Sequence, residues 1–253
     1  MLRIILRGCS GKMGRVVTEV AALHEDLRIV SGVDVFDNVS RPYPIFTSFA
    51  EVPVEADVIV DFSNPSNIED MLNFAVLKQM PLVIASTGFS DELIEVISKA
   101  AEKTPVFMAT NMSIGINLLA QLAKTAAKVL GTSFDIEIVE AHHNQKLDAP
   151  SGTAKTLAKA VEDGLDFEPL YVYDRHDKRE KRGKTEIGMH AIRGGTIVGE
   201  HEIIFAGNDE VIKLSHSALS KNIFAEGALN AARYIVKKQP GLYSMQDLVS
   251  ESN

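Results

Sequence analysis

The densest chemistry in the chain lies in Glu140-Ala141-His142-His143-Asn144-Gln145-Lys146-Leu147-Asp148-Ala149-Pro150-Ser151-Gly152-Thr153-Ala154, where two histidines and a lysine fall within five residues. Imidazole gives or takes a proton near neutral pH, and a lysine ammonium offers a compact positive charge to a carboxylate. Apolar or small residues at Ala154, Leu157, Ala158 and Val161 recur at helical spacing. The amides of Ser151, Gly152 and Thr153 therefore open a helix, a place where an anion is stabilised. The two histidines are thus candidates for proton transfer, and Lys146 with the Ser151–Thr153 amides for anion binding. The spacing does not fit a His-Glu-x-x-His metal helix and no cysteine lies nearby, so no metal is expected. A solvated histidine pair on a loop is the plain alternative.

A second constellation opens the chain. Gly8-Cys9-Ser10-Gly11-Lys12-Met13-Gly14 follows an apolar run and precedes a helical pattern, the context in which glycines let backbone amides approach a pyrophosphate. Asp34 lies 20 residues beyond Gly14, the usual distance for a carboxylate that receives the adenine-ribose hydroxyls. The glycine spacing differs from G-x-G-x-x-G, so a turn built for geometry alone, or a flavin, stays open. Ser86-Thr87-Gly88 and Thr110-Asn111-Met112-Ser113 each follow an expected strand and would sit beyond the carboxyl ends of a parallel sheet, where ribose and nicotinamide would lie; taken alone, each reads equally as an ordinary turn.

These residues need a frame. Leu2–Arg7, Leu27–Val33, Ala56–Asp61, Leu82–Ala85 and Val106–Ala109 read as strands. Helices are expected from Lys12 to about His24, from Pro65 to Lys78, and behind Ser90 as N-cap. A polar stretch, Asn38–Pro42, separates the second and third strands. Such alternation implies an α/β, Rossmann-type doubly wound parallel sheet. After a helix over Ile114–Leu130 the pattern changes: Phe134–Ile138 alternates with period two, and Glu186–Arg193 and His201–Leu214 are β-rich. That predicts an α+β second domain with a mixed or antiparallel sheet, before Lys221–Lys238 returns to helical periodicity. The expected division is a dinucleotide-binding domain at 1–112 with 221–253, and a second domain at 113–220. The basic run 176–184 is read as a mobile, solvated loop, with attraction of a dianionic substrate as the alternative, and Arg193 as a surface ion pair, with a place facing the cleft as the alternative.

Composition narrows the classes. A net charge of −8 argues against nucleic acid, which demands a basic face. No apolar run approaches the roughly 20 residues needed to cross a bilayer, and the start of the chain is too short and too charged for a signal peptide. A single cysteine, Cys9, excludes intramolecular disulfides and fits a reducing compartment. The expectation is a cytoplasmic protein without membrane partners; a local cluster of cations would still allow a small anionic substrate despite the global charge.

The segment Glu140–Ala154 resembles the signature of the 4-hydroxy-tetrahydrodipicolinate reductase (dihydrodipicolinate reductase) family. The similarity runs over essentially the whole chain: GCSGKMG at 8–14, STGFS at 86–90, ATNMSIGIN at 109–117, EIGMHAIRGGTIVGEH at 186–201 and GLYSMQDL at 241–248. The resemblance implies NADH- or NADPH-dependent reduction of a cyclic imine dicarboxylate, with loss of its 4-hydroxyl as water, in lysine and diaminopimelate biosynthesis. It implies His142 as proton donor/acceptor, Lys146 as a second donor, and His143 with the amides of Gly152 and Thr153 as the carboxylate site. Gly8, Cys9, Ser10, Gly11, Lys12, Met13, Asp34, Ala85, Ser86, Thr87, Ala109, Thr110, Asn111 and Met112 would line the cofactor. It also implies a homotetramer formed through the second domain's sheet. Lys12 stands where the family often has arginine, Met112 where some members have phenylalanine, and Val35 where NADPH-using members carry arginine. These departures bear on cofactor choice; Asp34, which would repel a 2′-phosphate, and Val35, which offers it no cation, favour NADH, while the nearby Lys12 and Arg41 leave NADPH open. From the residues alone, another two-domain dehydrogenase of amino-acid metabolism and a non-catalytic nucleotide-sensing protein remain alternatives.

Overall fold

The first strand, β1 (Leu2–Arg7), carries consecutive apolar residues at Ile4, Ile5 and Leu6 because both of its faces are covered. Ile4 and Leu6 share a core cluster with Val17 and Leu229, whereas Ile5 belongs to another with Met71 and Ile97. The computed structural model describes residues 1–36, 40–53 and 55–251; of the polar stretch 38–42, Asn38 and Val39 lie outside the described residues. Behind β1 come α1 (Lys12–Ala21), β2 (Leu27–Val33), β3 (Ile45–Phe46), β4 (Val58–Asp61), α2 (Ile68–Lys78), β5 (Leu82–Ile84), α3 (Asp91–Ala101) and β6 (Pro105–Met108). Next are α4 (Ile114–Leu130), β7 (Asp135–His142), α5 (Gly152–Glu162), β8 (Leu170–Val172), β9 (Glu186–Arg193), β10 (Gly199–Ala206) and β11 (Val211–Ala218). The chain ends through α6 (Asn222–Ile235), β12 (Gly241–Tyr243) and α7 (Met245–Glu251). Contacts divide it into two units, Met1–Ile114 with Lys221–Asn253, and Gly115–Ser220.

The first unit holds a seven-stranded sheet in the order β12-β6-β5-β4-β1-β2-β3, parallel throughout. The order reverses between β1 and β4, and such a switch point opens a crevice beyond the carboxyl ends of the strands. Each strand serves both layers: Val58 and Val60 join the cluster of α1 and α6, while Ile59 joins that of α2 and α3. Fully burying such a side chain is worth about 1.5–3 kcal/mol, so the sheet is a stiff base for the loops at its edge.

The second unit holds a five-stranded mixed sheet, β11-β10-β7-β9-β8. β7 pairs parallel with β9 and antiparallel with β10. One face, with Ile136, Ile138, Ile203 and Phe205, packs on Leu119 and Ala123 of α4 and on Leu157 and Val161 of α5.

Two expectations are corrected in detail. The helix expected at Pro65 begins at Ile68, because Asn67 adopts a left-handed conformation (φ 56°) and the Asn64 side chain accepts from the Ser66 amide in a turn. His201–Leu214 is not one β stretch but part of a hairpin, closed where the Gly207 amide donates to the Glu210 carbonyl. No helix among the described residues is long and apolar enough to cross a membrane.

Candidate active site

In the first unit, the turn between β1 and α1 is built by two glycines. Gly8 has φ +78°, and a Cβ there would lie 2.7 Å from the Phe62 carbonyl oxygen. A Cβ on Gly14 would lie 2.3 Å from the Gly8 carbonyl oxygen, so helix and loop meet closely only without it. Asp34, just past β2, accepts from the Ser10 amide at 2.9 Å and from the Phe36 amide at 3.3 Å. The carboxylate thus braces the glycine loop, and it keeps free lone pairs for a further donor. Gly8 and Asp34 line one cavity of about 300 Å³ with Arg7, Ser63 and Asn64. A carboxylate beside a side-chain-free loop in such a cavity fits the ribose end of a dinucleotide.

The other expected lining residues differ in what they present. Gly11 and Lys12 are exposed and Met13 is half-buried. The Ser10 hydroxyl donates to the Phe36 carbonyl. Cys9 is fully buried, and burial, with Asp34 nearby, pushes its thiol up, so it packs rather than reacts. Ser86 is buried and donates to Asp61, whereas Ala85 is half-buried and Thr87 exposed. Asp61 is wholly buried and also receives Arg7 at 3.0 Å and both the amide and hydroxyl of Ser63. This Arg7–Asp61 anchor is not apparent in the sequence, since 54 residues separate its partners. Ala109 is half-buried, Thr110 is exposed, and Asn111 accepts from the Ser113 amide. The Met112 side chain lies in the core, leaving its backbone as the part that could line a site.

In the second unit, alternation along β7 puts Glu140 and His142 on one face. Glu140 is 1% exposed. It accepts from His142 Nδ1 at 2.6 Å, from both Arg193 terminal nitrogens at 2.7 Å, and from the Ser151 amide at 3.0 Å. Burial alone would raise the Glu140 carboxyl, but the bonds from Arg193, His142 and Ser151 outweigh it and hold it below the usual range. Arg193 is no surface ion pair: its partner is buried, and it also donates to the Asp148 carbonyl. Asp148 in turn pairs with Lys146 at 2.8 Å, which ties the lysine to the same cluster. Ser151 caps α5, its hydroxyl accepting from the Ala154 amide and meeting His201 Nε2 at 3.1 Å. Burial, with His142 nearby, lowers His201 to about 4, so it is neutral at neutral pH. Gly152 and Thr153 form the first turn of α5, and nothing lies within 4 Å of where a Gly152 Cβ would be. His143, which follows His142 at the end of β7, is half-buried.

The structure thus brings His142, Lys146 and the α5 N-terminus into one neighbourhood. Glu140 and His201 join them as partners that the sequence motif does not single out, and Arg193 and Ser151 bind the same carboxylate. The basic run 176–184 is anchored at Arg182, which binds Asp135, Glu137 and two carbonyls. Among the described residues, no group of three or more His, Cys, Asp or Glu is placed to hold a metal ion.

Such a site can protonate a substrate beside an anion-binding helix end. Comparisons with known proteins identify the family. The family model described as "Dihydrodipicolinate reductase, N-terminus" matches residues 2–112, and that described as "Dihydrodipicolinate reductase, C-terminus" matches 115–249. The chain is 48% identical over 251 residues to the 4-hydroxy-tetrahydrodipicolinate reductase of Caldanaerobacter subterraneus subsp. tengcongensis, covering 99% of each. It is 46% identical over 253 residues to that of Clostridium novyi, covering 100% of each. A dipicolinate-bound dihydrodipicolinate reductase from Paenisporosarcina sp. TG-14 superposes with a TM-score of 0.81 at 25% identity, over 96% of this chain and 97% of that one.

Proposed function

This chain belongs to the dihydrodipicolinate reductase family, and on that premise we propose how its residues divide the work. It is an oxidoreductase that reduces 4-hydroxy-tetrahydrodipicolinate to tetrahydrodipicolinate with loss of water, in diaminopimelate and lysine biosynthesis. A nicotinamide cofactor, when bound, supplies the hydride. Residues 1–112 with 221–253 bind the dinucleotide, and residues 113–220 bind substrate. Backbone amides from Gly8 to Met13 hold the pyrophosphate and Asp34 takes the ribose hydroxyls, with Ala85–Thr87 and Ala109–Met112 along the remainder. His143 and the amides of Gly152 and Thr153 neutralise one substrate carboxylate. Lys146 steers the dianion and is the second proton donor, while His142 delivers the first proton.

The observation that carries this division is His142 held on buried Glu140 at the end of β7, next to the open first turn of α5. The decisive assay is oxidation of NADH that occurs only when pyruvate, aspartate semialdehyde and the preceding synthase are all present. Oxidation without the synthase would point to another substrate.

The finer readings are that NADH serves at least as well as NADPH, and that the enzyme is a cytoplasmic homotetramer. Asp34 favours a free 2′-hydroxyl and repels a phosphate there, and Val35 offers that phosphate no cation. The ratio of kcat/KM for the two cofactors tests this. A tenfold preference for NADPH, about 1.4 kcal/mol, would overturn it.

A further inference from the structure

His142 is gripped on one side and open on the other. Its Nδ1 lies 2.6 Å from Glu140 Oε2, and the same oxygen accepts from Arg193 Nη1. Glu140 Oε1 accepts from Arg193 Nη2 and from the Ser151 amide. A carboxylate so surrounded by donors is ionised and can only accept. The hydrogen of the Glu140–His142 bond therefore sits on Nδ1. The far nitrogen, Nε2, faces Gly199, where a Cβ would lie 3.1 Å from Nε2 and 3.5 Å from Cδ2. Gly199 lies in ordinary strand backbone, so close approach to the ring is what its missing side chain permits.

We propose that Glu140 is a positioning residue that fixes His142 with its hydrogen on Nδ1 and makes Nε2 the working atom, and that Arg193 sets how strongly Glu140 holds the ring. A consequence follows for the proton. Neutral His142 then carries a bare Nε2 and has nothing to donate, so the donating species is the imidazolium, protonated on both nitrogens. Glu140 stabilises that cation, and Arg193 takes up part of the carboxylate's charge. The other charged or titratable groups around the ring are few. β10 contributes His201, edge-on with ring centroids 5.2 Å apart, and β11 contributes His216, paired in register with His201. The segment after β7 contributes His143 and the Lys146–Asp148 pair.

The proposal rests on His142 being the proton donor, so its test separates the two. Nitrogen-15 NMR of histidine-labelled, unliganded protein reads the tautomer and titration of the ring without turnover, the signal being assigned by its loss in His142→Gln. The Nδ1–H tautomer is expected at high pH in the unsubstituted protein. Arg193→Met should move the titration midpoint upward and Glu140→Gln downward, each by about one pH unit, as expected for a charge within a few ångströms. The basic limb of the kcat profile should move the same way in each. A merely structural part for Glu140 and Arg193 would lower activity at every pH and leave both midpoints in place. Gly199→Ala, crowding Nε2, should lower kcat at least tenfold without moving the midpoint. An Nε2–H tautomer in the unsubstituted protein, or midpoints that move in the same direction, overturns the proposal. Should Glu140→Gln not fold, the tautomer and Arg193→Met still decide it. If His142→Gln keeps full kcat while the tautomer is as expected, the donor assignment fails and the positioning stands.

Discussion

At the scale of single residues, His142 and Lys146 differ in what they should cost when removed. His142→Gln keeps size and polarity but removes the proton, and a placed general acid is worth about 10²–10⁴-fold. We expect kcat to fall within that range with substrate KM unchanged to within a few-fold. Lys146→Ala removes a charge that both steers and bonds the substrate, so KM should rise as kcat falls, by roughly 1.5–3 kcal/mol of transition-state binding. Neither change should alter NADH affinity measured by calorimetry, because both residues lie in the unit Gly115–Ser220 and Asp34 and the glycine loop lie in the other. Full kcat in His142→Gln returns the histidine to a solvated-loop role, and loss of NADH binding in both variants removes the division of labour. Much of this was readable in advance: local order alone gathers His142, Lys146 and the Ser151–Thr153 amides. Arg193 and His201 were not assigned, because they reach Glu140 and His142 through strand register. Glu140 aligns with His201 on β10 and Ala191 on β9, pairings that no local pattern specifies. The hidden signal was the alternation on β7, which puts a carboxylate two residues before the histidine and on the same face.

At the scale of elements, the N-terminus of α5 and strand β10 form one joint through Ser151 and His201. His201 titrates near 4 in the folded protein against 6.5 in an exposed chain. The unfolded chain therefore takes up this proton first as pH falls. The stabilising contribution is complete above pH 6.5 and is lost between there and 4, on the order of 2–3 kcal/mol. Denaturation at stepped pH should show stability declining over that window, with a shallower slope in His201→Gln whatever its starting stability. An unchanged slope would mean that His201 takes up its proton without cost. Ser151→Ala removes the cap and should cost about 1 kcal/mol. Short elements were the hardest to foresee. β3 has two residues and β8 and β12 have three each, too few for a period to show. By contrast β1, whose Ile4-Ile5-Leu6 run is closed by Arg7 and Gly8, is legible in the sequence, because burial on both faces leaves consecutive apolar residues.

At the scale of the whole molecule, the question is what covers the second sheet's other face. Ile203 and Phe205 of β10 face α4 and α5, so Ile204 between them faces away, together with Val139 of β7, Ile192 of β9 and Val211 of β11. Ile192 is 51% and Val211 56% exposed. β11 is moreover an eight-residue edge strand without proline, a feature that invites pairing with another chain. That face is mixed, Ile204 being aligned with Glu137 of β7 and Lys213 of β11, and its apolar members beside such an edge favour self-association, since covering them removes apolar surface from water at about 25 cal/mol per Å². We expect light scattering at micromolar concentration to give a particle of roughly four times the 27.6 kDa chain. Ile204→Lys replaces an apolar member of that face with a second cation next to Lys213, without touching the core beneath. It should yield smaller particles with unchanged circular dichroism. A stable monomer with full activity would remove the tetramer. A tetramer indifferent to Ile204→Lys would move its contacts to the β11 edge or to another surface of the chain.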